Sequence, residues 1–337
     1  MSDSRRTLLE LAAVAVEKPW GGTRLGSFFP QPNLPSAHLG EMWLVSTVGE
    51  ERCHSRIVSG SDRGQTLQEC LLADPVKFLG HELAQQYSPG HFPLLFKWID
   101  ARSDLSVQVH PNDELARSLG LGENGKEETW LILDAEPGST VRVGFSEGWD
   151  MARLVKAVEG GEDISHALQR HSVKKGDLIH VPSGTVHSIG AGILLAEIQQ
   201  PSDVTFRIHD GETLGTDGLP RELHLKEASR TTTSAAFLYA KAEASPRGIW
   251  HERVTPVAYQ VMEFYGAGQA VLPLAEDRCS IVTCLGGQAS LRSDSGNPPQ
   301  ILNPGEGRLV TPGSGEISLE AVQEGWFAVF SPRLRPR

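Results

Sequence analysis

Gln108 and His110 stand two apart in the run Leu105-Ser-Val-Gln-Val-His110. In a strand, that spacing puts both side chains on one face, with Val107 and Val109 on the other. Glu128 follows 18 residues later at the start of the next apolar run, and His187 closes the turn-like segment Pro182-Ser-Gly-Thr-Val-His187. Two imidazoles, one carboxylate and an amide oxygen would make a nitrogen and oxygen site with room for water. Such a set suits zinc, and also iron or manganese, so spacing alone leaves the metal open. A single strand histidine is more often a hydrogen-bonded structural residue than a ligand. Here the weight lies on the set of four, with Gln108 as the fourth ligand. His180 is two residues from Pro182 and could face the same pocket, while Glu127, beside Glu128, competes with it as the acidic ligand.

Other side chains could do chemistry near such an ion. Lys97 is an interior-looking lysine in Leu94-Leu-Phe-Lys-Trp-Ile99, a costly placement unless it faces a polar pocket or pairs with an acid such as Asp100 or Glu41. With Ser106 it is a candidate for a substrate-binding wall. Trp20 and Trp43 could offer flat faces to a ligand, though an aromatic of this kind more often packs in a core. Arg207 and Asp210 in Phe206-Arg-Ile-His-Asp210 could equally be a surface ion pair beside a turn.

The elements that must hold these residues are mostly strands. Thirty-five glycines and 21 prolines cut the 337-residue chain into short apolar segments, the pattern of sandwiches and barrels. Strands are predicted over 39–47, 94–99, 105–110, 129–133, 140–145, 178–181 and 193–198. Helical periodicity appears over 66–72, 74–83 and 150–159, continuing over 163–170. The last two helices would form a small insertion around 148–170. After about residue 225 the composition turns to Thr, Ser and Ala, and a second set of short strands runs from 257 to 333. The segment from Gly176 to His187 has a weak echo in Gly305 to Glu316, which suggests an internal duplication. No histidine occurs after His251, so the second set lacks such ligands. The expected organisation is a metal-binding domain over 1–225 and a related domain without ligands over 226–337.

Composition narrows the partners. A net charge of −11 argues against nucleic acid, which is bound through clustered Lys and Arg. No apolar run approaches the roughly 20 residues of a membrane span, and the opening Met1-Ser2-Asp3 is no secretory signal, so a soluble cytoplasmic protein is expected. Four scattered cysteines without a CxxC pair are expected as reduced thiols.

Four linked strings carry a family resemblance: Pro93 to Pro111, Gly125-Lys-Glu-Glu-Thr-Trp130, Val181 to His187, and Glu197 to Arg207. With Lys18-Pro-Trp-Gly-Gly22 and Gly40-Glu-Met-Trp43, the chain closely resembles the type I mannose-6-phosphate isomerases of the short bacterial branch over about its first two thirds. The resemblance implies a mainly β bicupin, two jelly-roll barrels with a small helical insertion. It also implies one zinc ion per chain and interconversion of mannose 6-phosphate and fructose 6-phosphate. Carried over by position, His110, Glu128 and His187 match zinc ligands, with Gln108 matching the ligand of larger members. Arg207 matches the active-site arginine, and Lys126 matches the lysine before the ligand glutamate. The Lys-x-Glu match favours Glu128 over Glu127. Arg207 is then assigned to enediolate stabilisation and Lys126 to polar or proton-transfer work. Glu197, Lys126 and a metal-activated water remain open as the general base. An iron-dependent cupin dioxygenase and a non-catalytic sugar-phosphate-binding bicupin are the alternatives.

Overall fold

The computed structural model of the protein describes residues 8–28, 34, 38–122, 124–242, 246–294, 298–313 and 315–335. The opening Met1-Ser2-Asp3 and Ser314 of the echo lie outside these residues. Strands dominate and lie in three sheets. Two compact units emerge. Among the described residues, one comprises 8–14, 43–96 and 246–335, and the other 15–42 and 97–242. The sequence drew a single cut after residue 225, whereas this division is discontinuous. The physical reason is strand pairing: Leu8–Ala12 runs antiparallel to Gly307–Val310, with Leu8 opposite Val310. That recruits the start of the described chain to the late strands.

The unit built around the late strands holds its own core, in which Leu8, Phe264, Val282, Leu291, Phe327 and Val329 are buried together. Its helices include Leu67–Ala73, begun by a capping box between Thr66 and Glu69. The helical stretch expected over 74–83 is two helices, Pro75–Leu79 and His81–Gln86. Gly80 breaks it at φ 89°, a conformation open to glycine, and a Cβ there would lie 1.9 Å from the Asp277 carbonyl oxygen.

The chemistry lies on two further sheets, most of whose residues fall in the other unit. A seven-stranded sheet runs in the order Leu238–Ala240, Leu178–Val181, Glu128–Ala135, Ile193–Gln199, Leu95–Ala101, Val14–Gly22, Leu39–Val45. A five-stranded sheet runs Phe206–His209, Val107–Val109, His187–Ile189, Thr140–Phe145, Leu168–Ser172. Both contribute to one apolar cluster: Ile99, Trp130 and Ile132 from the first, Val141, Val143 and Ile189 from the second. Face-to-face sheets over a shared core make a curled sandwich. The outer face of the five-stranded sheet is apolar as well. There Val107, Val109, Val186, Phe206 and Ile208 pack with Leu154 of helix Met151–Glu159 and Ala228 of helix Leu225–Thr231.

Helix Met151–Glu159 forms where expected, capped by Asp150, whose side chain accepts from the Arg153 amide. The second helix expected over 163–170 does not. Residues Leu168–Ser172 form a strand against Thr140–Phe145, with Leu168 opposite Phe145, so edge pairing overrides a weak helical pattern. No helix among the described residues is long and apolar enough to cross a membrane.

Candidate metal centre

Alternation in the five-stranded sheet turns its polar residues inward. Val107, Val109, Val186, Phe206 and Ile208 face outward, so Gln108, His110, His187 and Arg207 share the inner face. Register agrees, with Gln108 opposite both His187 and Arg207. On the seven-stranded sheet, Glu128 and Trp130 lie opposite Gln199 and Glu197, and Lys97 precedes Ile99 by two on the same face. Apolar residues fill one end of the sandwich and these charged groups the other.

Among the described residues, His110, Glu128 and His187 form the group of His, Cys, Asp or Glu residues that could hold a metal ion, their ligand atoms all within 4.8 Å of one another. All three are essentially inaccessible. The His110 Nδ1 is 2.8 Å from the Val204 carbonyl and the His187 Nδ1 2.8 Å from the Thr185 carbonyl. A carbonyl only accepts, so each Nδ1 carries a proton, and in the neutral ring the Nε2 then presents a lone pair. The two Nε2 atoms lie 3.5 and 3.2 Å from the Glu128 oxygens, whose other close neighbour among the described residues is the Lys126 ammonium, 3.1 Å from Oε2. Buried acceptors that converge without a proton between them repel unless a cation joins them. The donor set therefore fits a divalent metal ion that accepts nitrogen and oxygen ligands.

Protonation follows the same logic. Burial first, then the Lys126 ammonium, pushes His110 well below the ordinary histidine range, which keeps it neutral. Burial works to raise the Glu128 carboxyl, but Lys126 and the two imidazoles outweigh it and hold it well below the usual range. A neutral imidazole and an ionised carboxylate are the forms a metal binds. Gln108 also reaches the centre, its amide nitrogen 3.2 Å from His187 Nε2 and its oxygen accepting from Ser106 Oγ at 3.1 Å. A half-turn of the amide brings the oxygen to the imidazoles and leaves the hydroxyl as acceptor, the orientation a ligand requires.

Beyond the ligands runs a ladder of alternating charge. Lys126 Nζ is 3.1 Å from Glu128 and 4.0 Å from Glu197, and Lys97 Nζ is 3.0 Å from Glu197 and 3.6 Å from Glu41. Burial opposes the Lys97 ammonium, but Glu197, then Glu41 and Asp203, raise its pKa above the ordinary lysine value. Burial first, then Glu128, raises the Glu197 carboxyl. Trp130 Nε1 donates to Glu197 Oε2 at 3.0 Å.

His110, Glu128, His187, Gln108, Ser106, Lys126, Glu197 and Lys97 thus form one connected network. Arg207 shares their inner face, yet its guanidinium turns to the Glu222 carbonyl at 2.9 Å and to Asp210 at 3.8 Å. Arg221 binds the same Asp210 through two donors, so two arginines share one carboxylate. Of the two roles open to Trp20, the structure shows packing: it is 4% exposed and lies in the core with Ile99 and Trp130. Asp100 does not meet Lys97 either, because Arg24 engages it. Asp203 and Trp130 lay inside the motifs quoted from the sequence without being assigned. Alternation from Glu128 would have found Trp130.

His180 lies beside the centre with Nδ1 3.0 Å from the Thr129 hydroxyl, and burial lowers its pKa to about 4. The unfolded value is about 6.5, so the unfolded chain binds the extra proton between these limits and stability falls as pH drops through that window. At pH 5 this costs the wild type about 2 kcal/mol relative to pH 7.5, at 1.36 kcal/mol per unit. Unfolding measured at both pH values for wild type and His180→Phe should show that much less acid sensitivity in the variant. Equal sensitivity would mean His180 does not titrate in this way.

Comparison with known proteins gives the chain's family. The family model of the phosphomannose isomerase type I catalytic domain matches residues 8–128. Mannose-6-phosphate isomerase ManA of Bacillus subtilis (strain 168) is 40% identical over 212 residues, which cover 63% of this chain and 64% of ManA, less than two thirds of its length. "Probable mannose-6-phosphate isomerase GmuF" of the same organism is 36% identical over 226 residues, covering 67% of this chain and 68% of GmuF. The crystal structure of the mannose 6-phosphate isomerase from Bacillus subtilis superposes with a TM-score of 0.79 at 27% identity, covering 96% of this chain and 99% of that one. The chain belongs to the type I phosphomannose isomerase family.

Proposed function

We propose that the protein is a zinc-dependent aldose–ketose isomerase that interconverts mannose 6-phosphate and fructose 6-phosphate through an enediolate. One observation carries the reading: two buried imidazoles, each with its Nδ1 on a backbone carbonyl, converge on an ionised carboxylate, in a chain of this family. The bicupin arrangement implied by the sequence would give each compact unit one jelly roll, with the chemistry in the unit that holds the cluster. His110, Glu128 and His187, with Gln108 after its half-turn, would hold the ion. When bound, zinc supplies a fixed positive charge that polarises neighbouring substrate oxygens.

The remaining work falls to the protein's own groups. Isomerisation moves a proton from C2 to C1 of the open-chain sugar while the neighbouring oxygens exchange hydroxyl and carbonyl character. Glu197 suits the base: its raised pKa lets it take and return a proton, and Trp130 pins one of its oxygens. Lys97 and Lys126 flank the other oxygen and keep the carboxylate placed between transfers. Arg207 offers a planar cation whose buried Nε has no hydrogen-bond partner among the described residues, a donor suited to the enediolate oxygens. Ser106 sets the Gln108 amide.

A coupled assay for fructose 6-phosphate formation from mannose 6-phosphate tests the reading directly. Metal retained without turnover would make the protein a binding member of the family. Arg207→Lys should keep the charge and lose the fork, lowering kcat about a hundredfold with little effect on unfolding temperature, comparable with removal of one oxyanion donor. Near-wild-type kcat in that variant would place the arginine outside the reaction.

A further inference from the structure

Lys97 lies between two carboxylates, and Glu197 already has a place in the proposed chemistry. We propose that the other, Glu41, is a positioning residue: by holding the Lys97 ammonium from the side away from the metal ligands, it sets how strongly Lys97 grips Glu197. This deepens the isomerase reading and rests on it.

Three strands of the seven-stranded sheet bring the groups together. Glu41 comes from Leu39–Val45, Lys18 from Val14–Gly22 and Lys97 from Leu95–Ala101. Glu41 is 4% exposed, and its two oxygens are divided between two lysines. Oε1 is 3.6 Å from Lys97 Nζ, and Oε2 is 3.6 Å from Lys18 Nζ. Lys18 is the accessible end of the ladder, with its side chain 26% exposed. Gly40 makes room for this arrangement. A Cβ there would lie 2.5 Å from Lys18 Cβ and 2.8 Å from its Cγ, so the lysine stem crosses the backbone only because Gly40 has no side chain.

From Lys18 to Glu128 the charges alternate, three ammonium groups with three carboxylates. In a buried array of this kind each charge sets the field at the next, because little water screens it. Removing the charge of Glu41 takes away the carboxylate that competes most directly with Glu197 for Lys97. A tighter hold on Glu197 makes that carboxylate a poorer proton acceptor, while the metal ligands and Arg207 stay as they are. The effect therefore belongs to kcat, with substrate affinity nearly untouched.

The test is a double-mutant cycle on metal-loaded full-length protein, after wild-type turnover of mannose 6-phosphate has been measured. Absence of wild-type turnover would sink the isomerase reading itself, separately from the role of Glu41. Given turnover, Glu41→Gln should lower kcat about tenfold, leave KM within about twofold and leave metal content unchanged. In a Lys97→Met background the same substitution should cost less than about twofold, because the residue through which Glu41 acts is gone. Glu41→Asp, which keeps the charge on a shorter stem, should give an intermediate loss. It also runs the same cycle if Glu41→Gln does not fold. Equal losses in both backgrounds, a raised KM at unchanged kcat, or wild-type kinetics would each overturn the proposal.

Discussion

Glu128→Gln should strip the protein of its metal and cut kcat/KM for mannose 6-phosphate by at least about a thousandfold, since charge stabilisation by a bound ion is worth several kcal/mol. The substitution keeps volume and hydrogen-bonding atoms, so the argument is electrostatic. Glu128 is the only carboxylate among the proposed ligands, and both of its oxygens face the two imidazoles. An amide in its place offers one neutral oxygen and an NH2 group, which has no lone pair to give. Lys126, 3.1 Å away, would meanwhile lose its nearest counter-charge and repel a cation. Elemental analysis should find one equivalent of zinc per wild-type chain and much less in the variant after dialysis. Circular dichroism should show the same strand content in both. Full metal retention in a folded Glu128→Gln protein would remove Glu128 from the ligand set.

The cluster around His110 was partly legible because strands impose a period of two. Gln108 and His110 could be put on one face, and the structure turns that face inward while Val107 and Val109 meet the helices outside. Lys97 was legible as an anomaly, a lysine inside an apolar run that had to find acids. Its partners were less so. Glu41 was named as one, but Glu197 is 100 residues downstream of Lys97, and a pairing across strands brings it there. Asp100, the sequence neighbour, points to the opposite face and meets Arg24.

The division of the chain escaped for a similar reason. Composition along a sequence reveals a linear boundary, whereas the pairing of Leu8 with Val310 is a contact across 302 residues, and no local pattern encodes it. The lost helix over 163–170 is the local version. Ala167 and Leu168 satisfy a helical stripe, and the same apolar surface is buried beside an edge strand. Trp20 shows the limit for single residues: an aromatic beside glycines suits a sugar platform or a core, and burial decides.

Free mannose should be turned over at least about a thousandfold less efficiently in kcat/KM than mannose 6-phosphate, since a desolvated contact to a charged group is worth several kcal/mol. The chain carries a net charge of −11, so its long-range field opposes an anionic sugar. Attraction has to be local, and the structure narrows its source. Lys97 and Lys126 are each flanked by carboxylates, and along the ladder three lysines balance three acids. These groups position the chemistry but leave no surplus for a phosphate. The surplus positive charge would be that of a bound metal, together with Arg207 and Arg221, which share the single carboxylate of Asp210. A phosphate is remote from C1 and C2, so its binding energy can hold the open chain in register at the metal. Because the attraction acts against an opposing global field, added salt screens both. The short-range pairing is the stronger at a partly buried arginine, so salt should raise KM for mannose 6-phosphate and leave free mannose nearly unaffected. Kinetics with both sugars across an ionic-strength series decide the matter. Comparable efficiencies for the two would identify a free-sugar isomerase on the same scaffold, and a salt response shared by both would trace to the metal centre instead of the phosphate.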